Sequence, residues 1–437
     1  MGQPNLMRAI AVAAVAAAIL VPISLIKGKI SERQQRADEV VRQFAAETSG
    51  AQVIGGPMIA ATCEEMIADS TPPRTVGCPT AYFVPQELRV TGDMPVEVRH
   101  RGIYPIRFFH AQLDMTGQFR WPAPPAPDGM SPRAWKHLYA VFRVSDPRGI
   151  RSFSAEGLPV VDSSAVGPDV AQFTVRADLG EYAAHQGGST VPFRFRMGLT
   201  GTGSLAIAPV GDTSEIRLTS SWPHPSFMGA ASPDEQAVGP AGYTATWRTT
   251  SIATGGQATW GPAVATNNVT VARSVGVSLF DPVNIYALSH RATEYAFLFV
   301  LFTYGALALA EASVGVQMHP VQYALVGCAV AIFFLLLIAL TEHIPFVFSY
   351  AIAAAACVAL LTYYLRHPLG TVRRTAIFFL FFAGLYATLY GLLKSEDNAL
   401  LLGSIMVFVL LAVVMVATRR KDWGSLGAPA SSAPGDD

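Results

Sequence analysis

Charge is what this chain has least of. Only 14% of its 437 residues are Asp, Glu, Lys or Arg, against about 25% in an ordinary soluble protein. The 31 basic and 31 acidic side chains cancel, which leaves no basic field for nucleic acid and excludes it as an expected partner. The deficit is uneven. Residues 27–290 read as a soluble segment rich in Pro, Gly, Thr and Arg, whereas between 296 and 417 long apolar blocks exclude charge altogether. The boundary falls near residues 290–294.

Signatures of chemistry are missing as well. There is no Gly-x-Ser-x-Gly; Gly203-Ser204-Leu205-Ala206 does not meet it. There is no His-Glu-x-x-His, and Thr341-Glu342-His343 cannot substitute for it. The nine histidines form no close pair of the metal-ligand kind, and no phosphate-binding glycine loop occurs. No catalytic, cofactor-binding or metal-ligating residue is therefore assigned, and the chain is expected not to be an enzyme. The apolar blocks carry no ionisable group of the sort that pumps and coupled transporters use to relay protons or bind ions. They show no interrupted helix pair either.

What is present is a set of membrane-length segments. A spanning helix needs about 20 predominantly apolar residues, and residues 7–26 meet this. Five more segments follow, at roughly 295–310, 321–340, 346–365, 375–393 and 399–417. Glu294, Glu311, Glu342, His343 and Lys394 sit at their ends, where snorkelling to the interface is the ordinary reading. Gly305, Gly327, Gly384, Gly391, Gly403 and the run Ala353 to Ala356 permit close helix approach and suggest a compact bundle.

Short loops orient the bundle. Arg366, Arg373 and Arg374 lie between the fourth and fifth spans, and Arg419, Arg420 and Lys421 follow the sixth, so both positions are expected inside. Counting back puts residues 1–6 inside and 27–290 outside. Lys27, Lys29 and Arg33 oppose this, but long translocated domains largely ignore flanking charge. Residues 7–26 are read as a retained signal anchor. A cleaved signal peptide is the alternative, disfavoured because the Ala-x-Ala triplets lie inside the apolar run.

Within 27–290, residues 31–47 continue as a helix with Val40, Val41 and Phe44 on one face, stopped near Gly50. Beyond it the pattern changes to short Val/Ile/Thr/Phe/Tyr-rich strands at 51–59, 81–90, 96–100, 103–112, 137–144, 191–199, 204–209, 215–220, 243–248 and 269–280. Gly, Pro, Asp and Ser clusters separate them. This spacing predicts an antiparallel sandwich or split sheet and not a parallel α/β fold. Residues 121–127, Trp-Pro-Ala-Pro-Pro-Ala-Pro, predict a stiff exposed loop. Cys328 and Cys357 fall in spans and read as packing residues. Cys63 and Cys78 fall in the exported part, where a disulfide is favoured; it would close a loop of about 15 residues, worth roughly 3 kcal/mol. Two free thiols is the alternative. The candidate functional motif is Trp222, Pro223, His224, Pro225 and Phe227, in which the prolines suggest a rigid turn and His224 a structural or surface role.

Several segments together resemble the bacterial inner-membrane family CreD, described as cell envelope integrity proteins. They are Ser31-Glu32-Arg33-Gln34, Gly102-Ile103-Tyr104, Val144-Ser145-Asp146 through Arg148-Gly149-Ile150, and Ser221-Trp222-Pro223-His224-Pro225-Ser226-Phe227. Gly276-Val277-Ser278-Leu279, Pro282-Val283, His319-Pro320-Val321-Gln322-Tyr323, Thr341-Glu342-His343, residues 399–404 and Thr418-Arg419 with Asp422-Trp423 complete the set. The resemblance implies six spans with one periplasmic domain, induction by a two-component system, and envelope defects on loss. It supplies no catalytic or binding residues, and residues 62–80 depart from it.

The expected architecture is a polytopic α-helical membrane protein of six transmembrane helices, with a large, all-β-rich, sandwich-like periplasmic domain inserted between helices 1 and 2. A five-helix bundle fills 291–417 and a disordered cytoplasmic tail 418–437. The expected function is non-enzymatic support of envelope integrity or stress response at the inner membrane. Its partners would be the lipid bilayer and an envelope component or periplasmic protein that the sequence does not name; nor does it fix the oligomeric state. The alternative is a channel or a lipid or small-molecule transporter lined by Tyr304, Tyr350, Thr362 and Tyr386. A membrane enzyme with an unrecognised periplasmic site is a third reading.

Overall fold

The computed structural model describes residues 3–67, 74–77, 81–121, 135–156, 160–161, 173–178, 188–254, 259–260, 273–279, 285–314, 318–394 and 399–418. They form two compact units, Asp38–Pro282 and the pair Met1–Ala37 with Val283–Asp437.

Helix α1 (Gln3–Glu47) is unbroken. Its last ten residues belong to the β-rich unit, where Val40 and Phe44 are buried. Strands follow in chain order: β1 (Gln52–Ile67), β2 (Arg74–Gly77), β3 (Ala81–Phe83), β4 (Glu87–Asp93), β5 (Val96–Arg101) and β6 (Tyr104–Arg120). Next come β7 (Trp135–Val144), β8 (Ile150–Ala155), β9 (Val160–Val161), β10 (Phe173–Asp178), β11 (Thr190–Thr202) and β12 (Ser204–Ile207). The last are β13 (Thr213–Ser220), β14 (Pro225–Gly229), β15 (Glu235–Gly239), β16 (Gly242–Thr250), a short α2 (Ser251–Thr254), β17 (Thr259–Trp260) and β18 (Val275–Leu279).

Among the described residues these make a ten-stranded sheet, whose main path is β14-β18-β12-β1-β7-β10-β9, and an eight-stranded sheet, whose path is β15-β16-β13-β4-β6-β11-β8. Apolar residues of both sheets share one core: Ile54, Phe142 and Val277 from the first, Val90, Met115, Ile216 and Trp247 from the second. Phe142 meets Phe195 of the facing sheet edge-to-face, with centroids 4.9 Å apart. Period-two burial along β4 and β13 shows why: side chains alternate between core and solvent, so one face of each strand closes the sandwich.

Three expectations for the β-rich unit need correction. Two ladders are parallel, β1 with β12 and β4 with β13; such pairings join distant segments, which strand-by-strand patterning cannot see. The stretch 81–90 is two strands, because Pro85 cannot donate to a ladder. Trp121 is buried at 3% exposure, not part of an exposed loop; residues 122–134 lie outside the described ones. Strands β8, β14 and β15 had no apolar alternation to announce them, and β15 is exposed over its first four residues.

In the other unit, α3 (Ile285–Glu294) and α4 (Ala296–Val314) precede α5 (Pro320–Thr341), α6 (Phe346–Leu369), α7 (Val372–Lys394) and α8 (Ala399–Thr418). Four described helices are long and apolar enough to cross a membrane: α1 over Ile10–Glu47, α5, α6 and α7. A fifth results if Tyr286–Glu294 and Ala296–Glu311 count as one span, bent by 43°. That bend corrects the expectation of no interrupted helix. Ile19 and Ile23 of α1 pack in one core with Phe299, Phe333, Phe382 and Leu389. Gly327 makes the approach possible, since a Cβ there would lie 2.6 Å from Ile19 Cγ1. The same expectation fails for Gly305, Gly384, Gly391 and Gly403, where an added Cβ meets nothing within 4 Å. Gly370 ends α6 in the left-handed region, at φ 68°, which suits glycine.

Candidate functional site

The Trp222 motif is a corner between the two sheets. Strand β13, inside the eight-stranded path, ends at Ser220, and β14 begins at Pro225 on the edge of the ten-stranded sheet, paired with β18. A proline is tolerated at the start of an edge strand because no ladder hydrogen bond is lost. Trp222 is half-buried; its indole N–H donates to the His224 carbonyl at 3.0 Å, and the Arg107 guanidinium lies 5.4 Å from its ring centroid. Ser221 Oγ accepts from Val96 N at 3.3 Å. Phe227 turns inward, edge-on to Tyr243 and Trp247 at 5.8 Å each. Burial pushes the Tyr243 phenol well above its ordinary range, the Ser220 hydroxyl opposing the shift. His224 is exposed. The motif's indole face and N–H are thus engaged internally, and its apolar members close one end of the sandwich.

A second constellation, partly quoted in the sequence as Val144 to Ile150, fastens the end of α1. Asp146 Oδ2 accepts from Gly50 N at 2.9 Å and from Arg148 Nη2 at 2.7 Å, while Oδ1 accepts from Arg148 Nε at 2.9 Å. Arg148 also donates to the carbonyls of Ala46 and Ala45, so a cation satisfies the orphan carbonyls at the helix C-terminus. Gln52 Nε2 donates to the carbonyls of Asp146 and Thr200 at 3.0 and 3.1 Å, and Thr202 Oγ1 donates to Ser49 O at 2.8 Å. The Arg148 guanidinium holds the Asp146 carboxyl below the usual carboxylate range, with help from Gly50 N–H and against burial. Gln52, Thr200 and Thr202 carried no sequence signal, since each is a single polar residue in a strand. The nearby Phe44 ring meets Phe108 edge-on at 5.7 Å.

In the helical unit, segments far apart in sequence come together as ion pairs. Arg33 Nε lies 3.5 Å from Glu342 Oε1, whose side chain is 13% exposed. Lys27 Nζ lies 3.6 Å from Glu294 Oε1. His319 and Gln322 form a reciprocal capping box at the start of α5, and Glu311 Oε1 accepts from Met318 N at 2.5 Å. The tyrosines considered for a polar path are buried. Tyr304 donates to Tyr323 O at 2.8 Å, Tyr350 to Tyr386 O at 2.6 Å, and Tyr386 to Cys357 Sγ at 2.9 Å. Cys357 in turn lies 3.4 Å from Ala329 O, so one chain of hydrogen bonds joins α5, α6 and α7.

Cys63 lies on β1, in register with Trp135 of β7, but Cys78 lies outside the described residues; the nearest register is Glu64 opposite Gly77 in the β1–β2 ladder. The outer face of the eight-stranded sheet offers an open polar groove of about 550 Å³ between β4, β6, β13 and β16. Arg89, Glu215 and Arg248 line it, Arg89 paired with Glu215 at 3.4 Å. Among the described residues no group of three His, Cys, Asp or Glu is placed to hold a metal ion.

The family model described as Inner membrane protein CreD matches residues 4–424. Inner membrane protein CreD of Escherichia coli (strain K12) is 31% identical over 428 residues, covering 95% of this chain and 93% of its own. With a match over nearly its whole length, on apolar helices and a large β-rich region, this chain belongs to the CreD family of inner membrane proteins.

Proposed function

We propose that this chain supports envelope integrity from the inner membrane through its β-rich unit, held on the periplasmic side by six spans, and that it does so without catalysing a reaction. The sixth span is Ala399–Thr418, twenty residues without a charge. Glu294 beside Lys27 and Glu342 beside Arg33 support the orientation, because they neutralise two of the cations that argue against it.

The internal satisfaction of the buried tyrosines carries the reading. With Tyr304, Tyr350 and Tyr386 each donating within the bundle, recognition falls to the polar surfaces of the β-rich unit, among them the groove at Arg89 and Arg248. Complementation of a deletion strain under detergent stress tests this. The pair Arg89→Ala and Arg248→Ala should lose protection at normal abundance, while Glu342→Gln keeps it; the reverse result would move function into the bundle. Crosslinking from the groove in living cells should then capture its envelope partner.

One observation favours the channel or transporter reading, the 43° bend between α3 and α4, since broken spans mark transport sites. Solute flux through proteoliposomes of the intact protein, abolished on straightening that bend, would establish it.

A further inference from the structure

We propose that the groove between α6 and α7 holds one acyl chain of a membrane phospholipid. The groove is open on one side and has a volume of about 480 Å³, within the range of small-molecule sites. Its α6 wall runs from Val347 to Ala359 and its α7 wall from Phe379 to Tyr390. Twelve steps along α6 make about 18 Å, close to the roughly 15 Å of one leaflet's hydrocarbon. The groove is thus as long as one chain in one leaflet, not as long as a crossing helix.

Its chemistry fits the same occupant. Small side chains keep it open on both helices, Ala351, Ala355 and Ala359 facing Ala383 and Ala387. The two tyrosines of its floor turn their hydroxyls into the bundle, Tyr350 to Tyr386 O and Tyr386 to Cys357 Sγ, which leaves ring carbon for a chain to lie on. Tyr390 packs on Tyr350 at 5.2 Å at one end. One turn further along the same face of α7, exposed Lys394 brings an ammonium to the level of a headgroup phosphate. A second copy's helix would find no such match in length, and hydrocarbon is the medium this face meets.

Native mass spectrometry of the full chain in mild detergent, titrated with phosphatidylglycerol, tests the proposal. One phospholipid per chain should be retained. Ala355→Phe with Ala383→Phe, which fill the groove, should weaken retention about tenfold, the loss of about two buried methylenes; Leu380→Phe, on an exposed face, should not. Unchanged retention in the filled variant overturns the proposal, as does a dimer that the filled variant loses. If that variant fails to fold, unaltered protein in vesicles containing phospholipid with a diazirine in its acyl chain decides. Labelling concentrated on residues 351–359 and 383–390 supports the site, and labelling spread evenly over the exposed faces of α5, α6 and α7 overturns it.

Discussion

At Asp146 a largely buried carboxylate meets a backbone N–H from one side and a guanidinium from the other. Asp146→Ala leaves Gly50 N and Arg148 without their acceptor, and should lower the stability of the β-rich unit by about 1–3 kcal/mol, read as the midpoint of urea unfolding. The pH dependence has a definite sign. The folded pKa lies below the unfolded value of about 3.9, so the contribution is complete above that value and is lost as pH falls through the folded one. The stability gap between the natural chain and Asp146→Asn should stay constant from neutral pH to about pH 5 and close below about pH 4. Trp222→Ala should cost about 2 kcal/mol, less than for a fully buried tryptophan, with Trp222→Phe milder. The sequence marked both motifs as shared with a family, but it could not separate a structural corner from a binding surface. That distinction lay in where the Trp222 N–H and ring face point, which only the fold decides.

Among the elements, the spans were legible because hydropathy is a property of local sequence. The partners of α1 were not. Nothing in residues 7–26 names Gly327 as the place where Ile19 packs, because that contact joins segments some 300 positions apart. Gly327→Leu should overpack this crossing by about 1–3 kcal/mol and lower the melting temperature in detergent. Glu342→Gln should be mild, under about 1 kcal/mol, since its partner Arg33 is half-exposed and screened by water. Most central strands were legible from alternation. Edge strands β14 and β15 were not, being five residues each, without alternation, and introduced by prolines at 225 and 233. The Cys63–Cys78 bridge is a proposal that rests on the oxidising surroundings of an exported segment. Non-reducing peptide mapping should recover the peptides carrying Cys63 and Cys78 joined; both recovered as free thiols would refute the bridge.

For the whole molecule, the account rests on which side of the membrane the β-rich unit occupies. Positive-inside counting, the parity of six spans and the pairing of Lys27 and Arg33 with Glu294 and Glu342 all bear on it. They are tested together by labelling intact cells with an impermeant thiol reagent, using single cysteines at Gly370 and Asp397 in a chain whose four native cysteines are replaced. Asp397→Cys should label from the periplasm and Gly370→Cys only after the cells are opened. Labelling at Gly370→Cys in intact cells with none at Asp397→Cys would place the β-rich unit in the cytoplasm and contradict the account.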